Sequence, residues 1–293
     1  MNSLILSGGG AKGAFEAGVL YQIFKAKEFD YLFGTSVGAL NCILLAQSYL
    51  DNSPYIFKKV WIEMIKNNNS IYKKNYFRTL CGNPPFDFSP LRKILKENID
   101  FEEILKMDKE IKITTVDLVT GKSIVISNKK TKETDEFLES AIASCSIPPA
   151  FLPVKINGKH LVDGGVRDNV PTKQILMNDD NGGSVLMVLC NPKDMEERTG
   201  EYNGLIKIGM RTIDIMIHEI TRNDINTMIL INELIKRTPE ENKSVWLAEK
   251  KVIDIDIIEP DTDLGNTLNF DPRHMCELFN YGRIKASKYL MDH

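Results

Sequence analysis

Three short stretches carry the residues best suited to chemistry. The first is Ser7-Gly8-Gly9-Gly10-Ala11-Lys12-Gly13, between an apolar run and a helix-like run. Gly8-x-Gly10-x-x-Gly13 has the spacing of a dinucleotide-binding turn, and Asp30, 17 residues past Gly13, stands near the place of a ribose-binding acid. The physics of such a loop is more general. Its bare N–H groups point at one spot and the following helix adds the positive end of its dipole, so any anion suits it, the oxyanion of an acyl intermediate included.

The second stretch, Gly34-Thr35-Ser36-Val37-Gly38, lies where a strand pattern gives way to a helix pattern. G-x-S-x-G at that junction is a nucleophile elbow: Gly34 and Gly38 relieve crowding while Ser36 is held exposed above the sheet. A nucleophilic serine needs a base. The four histidines, His160, His218, His274 and His293, occupy no distinctive loop, and each reads as a surface or hydrogen-bonded residue. The third stretch, Asp163-Gly164-Gly165, puts a carboxylate at a strand end, where open α/β sheets build their sites. An ordinary hairpin turn is the competing reading.

The elements needed to position these residues follow from periodicity. Strands are expected at 2–7, 29–34, 111–117, 122–127, 160–162, 184–190 and 252–258. Helices are expected at 13–27, 36–50, 54–67, 89–97, 134–143, 172–178, 204–236 and 273–290. Continuous apolar runs such as Val185–Cys190 suit strands buried on both faces, and the alternation predicts an α/β fold, a mostly parallel sheet between two helical layers. Residues 51–90, rich in Asn, Pro and Lys, read as a cap or insertion on one domain spanning 1–293. Residues 191–203 and 259–271 read as exposed loops. The apolar spacing in 204–236 (Ile206, Met210, Ile213, Ile217, Ile220) reads as core packing.

With 43% hydrophobic and 26% charged residues and a net charge of −3, the chain is globular and has no overall attraction for nucleic acid. Its five cysteines (Cys42, Cys81, Cys145, Cys190, Cys276) form no C-x-x-C pair, which argues for reduced thiols, no zinc site and a cytosolic setting. No leader-like start and no apolar run of about 18 residues is present. Between Lys58 and Arg78 six basic residues (Lys58, Lys59, Lys66, Lys73, Lys74, Arg78) face one acid, Glu63, among Trp61, Tyr72, Tyr76 and Phe77. That segment reads either as a peripheral membrane contact or as a solvated face whose Trp61 and Ile62 pack inward.

Together, GGGAKG at 8–13, GTSVG at 34–38 and DGG at 163–165 resemble the patatin-like phospholipase family. ASCSIPPAFLPV (143–154) and DNVP (168–171) resemble it too, whereas 51–110 and 191–293 match loosely. The resemblance implies a lipid or phospholipid acyl hydrolase with a catalytic dyad: Ser36 as nucleophile, Asp163 as general base, and an oxyanion hole from Gly8, Gly9, Gly10, Lys12 and Gly13. Gly164 and Gly165 shape the Asp loop. No cofactor or metal is implied. Lys12 stands where many members have Arg and lacks its forked hydrogen bonding. Three alternatives stay open: a Ser-His-Asp esterase using His218 or His274, a dinucleotide-binding oxidoreductase using Asp30, and a catalytically silent binding protein. Head group, acyl position and oligomeric state are not legible.

Overall fold

A computed structural model of the chain describes residues 2–75, 82–176, 183–197 and 204–293. Seven strands build one continuous ladder and an eighth pairs beside it. In chain order they are β1 (Asn2–Leu6), β2 (Tyr31–Thr35), β5 (Glu110–Asp117), β6 (Ser123–Ser127), β7 (Val154–Ile156), β8 (Lys159–Asp163), β9 (Gly183–Val188) and β10 (Ile253–Ile258). Their order across the sheet is β10-β9-β1-β2-β5-β8-β7, with β6 on β5. The five from β10 to β5 run parallel, and β6, β7 and β8 add antiparallel pairs. A two-residue pair, β3 (Lys73–Lys74) with β4 (Phe86–Asp87), lies apart.

Both faces of the sheet are buried, as the apolar runs require. Leu4, Leu6, Leu32, Leu186 and Val188 point to one face, Ile5, Phe33, Val185 and Met187 to the other. The first face is covered by α1 (Gly13–Ile23), α2 (Val37–Asp51), α3 (Tyr55–Lys58), α4 (Ser89–Asn98), α5 (Phe101–Lys106), α6 (Thr134–Ser144) and α10 (Pro272–Asp292). The second is covered by α7 (Thr172–Leu176) and α8 (Leu205–Arg237) through Ile175, Leu176, Ile225 and Met228. This is the three-layer α/β/α arrangement expected from the sequence. Each fully buried aliphatic side chain contributes roughly 1.5–3 kcal/mol to holding it.

All seven expected strands form, as do all eight expected helices, although α7 is described only to Leu176. The differences are informative. The helix expected at 54–67 is α only to Lys58, then widens into a π-helical turn at Lys59–Met64 and ends where Ile65 turns extended. That unwinding sends Val60, Trp61 and Ile65 inward together. Short elements α5, α9 (Val245–Ala248) and β7 gave no periodic signal. Helix α8 is less of a core helix than expected. Its inner side packs, but Leu205, Ile208, Ile215, Met216, Ile229, Leu230 and Leu234 are exposed.

Candidate active site

Ser36 closes β2 and opens α2, with φ 55° and ψ −126°. This left-handed conformation is costly for a side-chain-bearing residue and is held from outside. The Ser36 amide donates to Ser144 Oγ at 2.8 Å, and Ser144 Oγ donates to the Thr114 carbonyl at 2.7 Å. Gly38 is required two residues on: a Cβ there would lie 2.3 Å from the Leu6 carbonyl oxygen.

Asp163 ends β8, paired to β5 two strands from β1. Antiparallel pairing brings its carboxylate to the sheet edge where β2 delivers Ser36. The Ser36 hydroxyl donates to Asp163 Oδ2 at 2.7 Å, and the Gly165 amide holds Oδ1 at 2.8 Å. Asp163 is 2% exposed. Burial raises its pKa to about 7, against the lowering effect of those two hydrogen bonds. A carboxyl poised near neutrality can take and return a proton.

The glycine loop arrives from the C-terminal end of β1. Its amides divide into two groups. Gly8 N–H donates to Asn169 Oδ1 at 2.9 Å, Lys12 N–H to the Gly9 carbonyl at 3.2 Å, and Gly13 N–H to the Gly10 carbonyl. The amides of Gly9 and Gly10 find no acceptor among the described residues, and both glycines line the same cavity as Ser36. Of the five residues expected to bind an oxyanion, these two therefore keep a donor available. Gly10 has φ +57°, and a Cβ there would lie 2.3 Å from the Thr267 carbonyl oxygen.

Lys12 has its ammonium already engaged by neighbouring side chains. It is 4% exposed, donates to Asn191 Oδ1 at 2.6 Å and lies 3.4 Å from Asp263. Asn169 was not singled out from the sequence. It spans the site, holding Gly8 with one end and donating to Thr221 Oγ1 on α8 at 2.8 Å with the other. Its only signal was its place in Asp168-Asn169-Val170-Pro171, just after the Asp loop.

Behind Ser36 opens a cavity lined mostly by apolar side chains. Leu40 and Leu44 of α2, Val60 and Trp61 of the π turn, and Phe88, Leu91 and Leu95 of α4 and its approach form the wall, with Phe151 and Phe270 beyond. Phe88 and Phe151 stack at 3.8 Å between centroids. The half-exposed lining residues Gly9, Gly10, Asn191, Asp214, Ile217, Thr267 and Leu268 put the mouth between the glycine loop, α8 and the 263–268 loop.

The histidines lie elsewhere. His218 faces the Pro192 carbonyl at 3.3 Å, His274 the Leu264 carbonyl at 3.0 Å, His293 stacks on Tyr289, and His160 is exposed on β8. None lines the cavity. Asp30 sits at the opening of β2, where its carboxylate accepts from the Asn2 amide at 3.0 Å. It therefore lies at the opposite end of the parallel strands from the glycine loop and cannot serve a ligand there. Cys42, Cys145 and Cys190 are free buried thiols, and Cys145 lies against the site. Cys81, Tyr76, Phe77 and Arg78 fall outside the described residues.

These features define an α/β protein with a serine on a nucleophile elbow facing a buried carboxylate. The model for patatin-like phospholipases matches residues 4–176, more than half the chain, and the chain belongs to that family. It is 28% identical over 183 residues to a probable lipid hydrolase of Invertebrate iridescent virus 6, covering 58% of this chain and 61% of that protein. A cGAMP-activated phospholipase of Escherichia coli is 26% identical over 202 residues, 58% of this chain and 53% of its own. The human 1-acylglycerol-3-phosphate O-acyltransferase PNPLA3 is 28% identical over 144 residues, 48% of this chain and 27% of its own. The chain thus spans little more than half the length of the first two relatives.

Proposed function

We propose that this chain hydrolyses carboxylic esters of lipids, in the manner of a phospholipase A or lysophospholipase, through a Ser36–Asp163 dyad. The observation that carries this reading is the 2.7 Å hydrogen bond from Ser36 Oγ to a buried carboxylate at the head of an apolar cavity. Residues 1–293 act as one catalytic unit, with Val60, Trp61, Ile65, Ile71, Tyr72 and Phe88 of the 51–90 segment contributing to the cavity wall.

Ser36 Oγ attacks the ester carbonyl carbon while Asp163 accepts its proton. The Gly9 and Gly10 amides receive the charge that develops on the carbonyl oxygen. Collapse expels the alcohol, which takes the proton back from Asp163 and leaves the acyl group on Ser36. A water then attacks the acyl-enzyme, giving its proton to Asp163. The fatty acid departs as that proton returns to Ser36 Oγ. The acyl chain lies in the apolar cavity and the alcohol part faces the mouth. Each oxyanion donor of this kind is worth about 2.7–4 kcal/mol of barrier.

The decisive experiment is lipid mass spectrometry of membrane extracts treated with wild type, Ser36→Ala and Asp163→Asn proteins. Free fatty acid should rise with wild type alone. A variant at either position that releases wild-type amounts overturns the dyad.

Contact with the bilayer follows from the same reading. Lys58, Lys66, Lys73 and Lys74 are exposed, so the basic segment 58–78 supplies the electrostatic contact. Trp61 and Tyr72 take no part in it, since both are buried and line the cavity.

A further inference from the structure

Glu16 is a carboxylic acid with no exposed surface, in the first turn of α1, and no step above uses it. Asn41 Nδ2 of α2 donates to its Oε2 at 3.0 Å, and Ser7 Oγ lies 3.4 Å from its Oε1. Each neighbour reaches onward. Asn41 also donates to the Gly13 carbonyl at 3.0 Å and accepts from Trp61 Nε1 at 3.0 Å. Ser7 Oγ accepts from the Cys190 amide at 2.9 Å and lies 3.4 Å from the Gly8 carbonyl oxygen. One carboxyl therefore ties both ends of the glycine loop, Ser7-Gly8 and Gly13, to α2, to the end of β9 and to the cavity wall.

The groups facing Glu16 offer it no counter-charge. Cys42 of α2 and Cys190 after β9 are thiols held neutral by burial, and Cys190 also hydrogen-bonds to it. Lys12, beyond Cys190, is taken by Asn191 and Asp263. No Lys, Arg or His among the described residues forms an ion pair with Glu16. Desolvation accordingly raises its pKa to about 8.

We propose that protonated Glu16 is the positioning residue that sets the Gly8–Gly10 amides against Ser36. Its own proton goes to Ser7 Oγ, which frees that hydroxyl's hydrogen for the Gly8 carbonyl, while Oε2 accepts from Asn41. Ionisation reverses the Ser7 bond, takes the hydrogen away from Gly8 and loosens the loop. The proposal rests on the hydrolase reading only for its effect on rate.

The test has an arm that needs no activity. In protein labelled with ¹⁵N-glycine, the Gly8, Gly9 and Gly10 amide signals of the wild type should titrate together near pH 8. In Glu16→Gln, whose amide imitates the protonated acid, that titration should vanish. In parallel, kcat on a soluble short-chain p-nitrophenyl ester should fall above pH 8 in the wild type, with KM unchanged, and hold level in Glu16→Gln. At pH 7, Glu16→Gln should keep kcat within about threefold and a folded Glu16→Ala should lose tenfold or more. Glycine amides that do not titrate, or that titrate equally in Glu16→Gln, overturn the proposal. So does a Glu16→Gln protein as slow as Glu16→Ala. A wild type that turns over no ester yet shows the glycine titration sinks the hydrolase reading and supports the positioning role.

Discussion

The floor and the wall of the cavity are built on opposite principles. The floor consists of strand ends: the glycine loop after β1, the elbow after β2 and the Asp loop after β8. Its side chains are small and polar and, the Gly9 and Gly10 amides apart, its groups are tied to named partners, down to the Ser144 and Asn169 bonds that hold the Ser36 and Gly8 amides. The wall consists of Leu, Phe and Trp side chains from α2, the π turn, α4 and the 263–270 loop, held by packing and by few directed bonds. Directed bonds fix a position to a fraction of an ångström, as chemistry demands. Dispersion and burial fix a shape and tolerate exchange of one apolar residue for another. Chemistry and selectivity should therefore respond differently to substitution.

The largest expected effects lie in the floor. On the proposed dyad, Ser36→Ala and Asp163→Asn should each lower kcat/KM by a factor on the order of 10⁴, by analogy with serine hydrolases. The base acts only when ionised, so kcat/KM of the wild type should rise through pH 7, the value set by burial of Asp163. The stability consequence has the opposite sign. A carboxyl whose pKa moves from 3.8 to about 7 on folding makes the protein progressively less stable as pH rises across that interval. Asp163→Asn removes that cost and should raise stability at pH 8 by an amount on the order of 4 kcal/mol, read in thermal melts. A rate profile flat between pH 5 and 8, or an Asn variant with a lower Tm, would contradict the assignment of Asp163 as a buried, late-ionising base.

Substitutions in the wall should spare chemistry and change what fits. Leu91→Trp fills part of the cavity and should move preference toward shorter acyl chains, with turnover of a butanoate ester changed less than tenfold. Phe88→Ala does the reverse, opening space beside Phe151 and costing about 3–5 kcal/mol of stability through the void it leaves. A series of p-nitrophenyl esters from C4 to C16, with parallel melts, checks both. Equal chain-length profiles in the two variants would mean that the acyl chain does not lie in this cavity.

The same contrast explains what the sequence made legible. The floor could be read because each of its motifs is contiguous and sits on a strand end, so that spacing along the chain becomes position in space. The Ser36–Asp163 pair, 127 residues apart, needed only the strand assignments and the family resemblance. The wall could not be read. The lysines around Trp61 and Tyr72 left two readings open, an interfacial contact or an inward-packed Trp61; the π turn at Lys59–Met64 takes Trp61 inward, and Tyr72, beside β3, packs against Phe86. Periodicity assumes 3.6 residues per turn and does not foresee that change of pitch. Helix α8 shows the complementary failure. Its length was legible to within one residue at each end, while its outward Ile208, Ile215 and Met216 satisfy the same apolar spacing as its inward face. Asn169 and Glu16 escaped because their roles exist only through partners distant in sequence.

The smallest effects belong to the surface outside both regions, and they decide which part of it meets lipid. The exposed lysines and the outward apolar stripe of α8 make different predictions. Near an anionic bilayer each lysine contributes about 1 kcal/mol, so Lys58→Gln or Lys73→Gln should reduce partitioning onto phosphatidylserine-containing vesicles roughly fivefold. That loss should fade at 0.5 M salt, where screening removes the attraction for wild type as well. Ile215→Ser and Met216→Ser would instead weaken binding to neutral and anionic vesicles alike, with little dependence on salt, if the stripe beside the cavity mouth carried the contact. Flotation of these four variants on both vesicle types, at low and high salt, separates the two. Salt-independent binding untouched by the lysine substitutions would move the contact from the basic segment to α8, leaving floor and wall as they are.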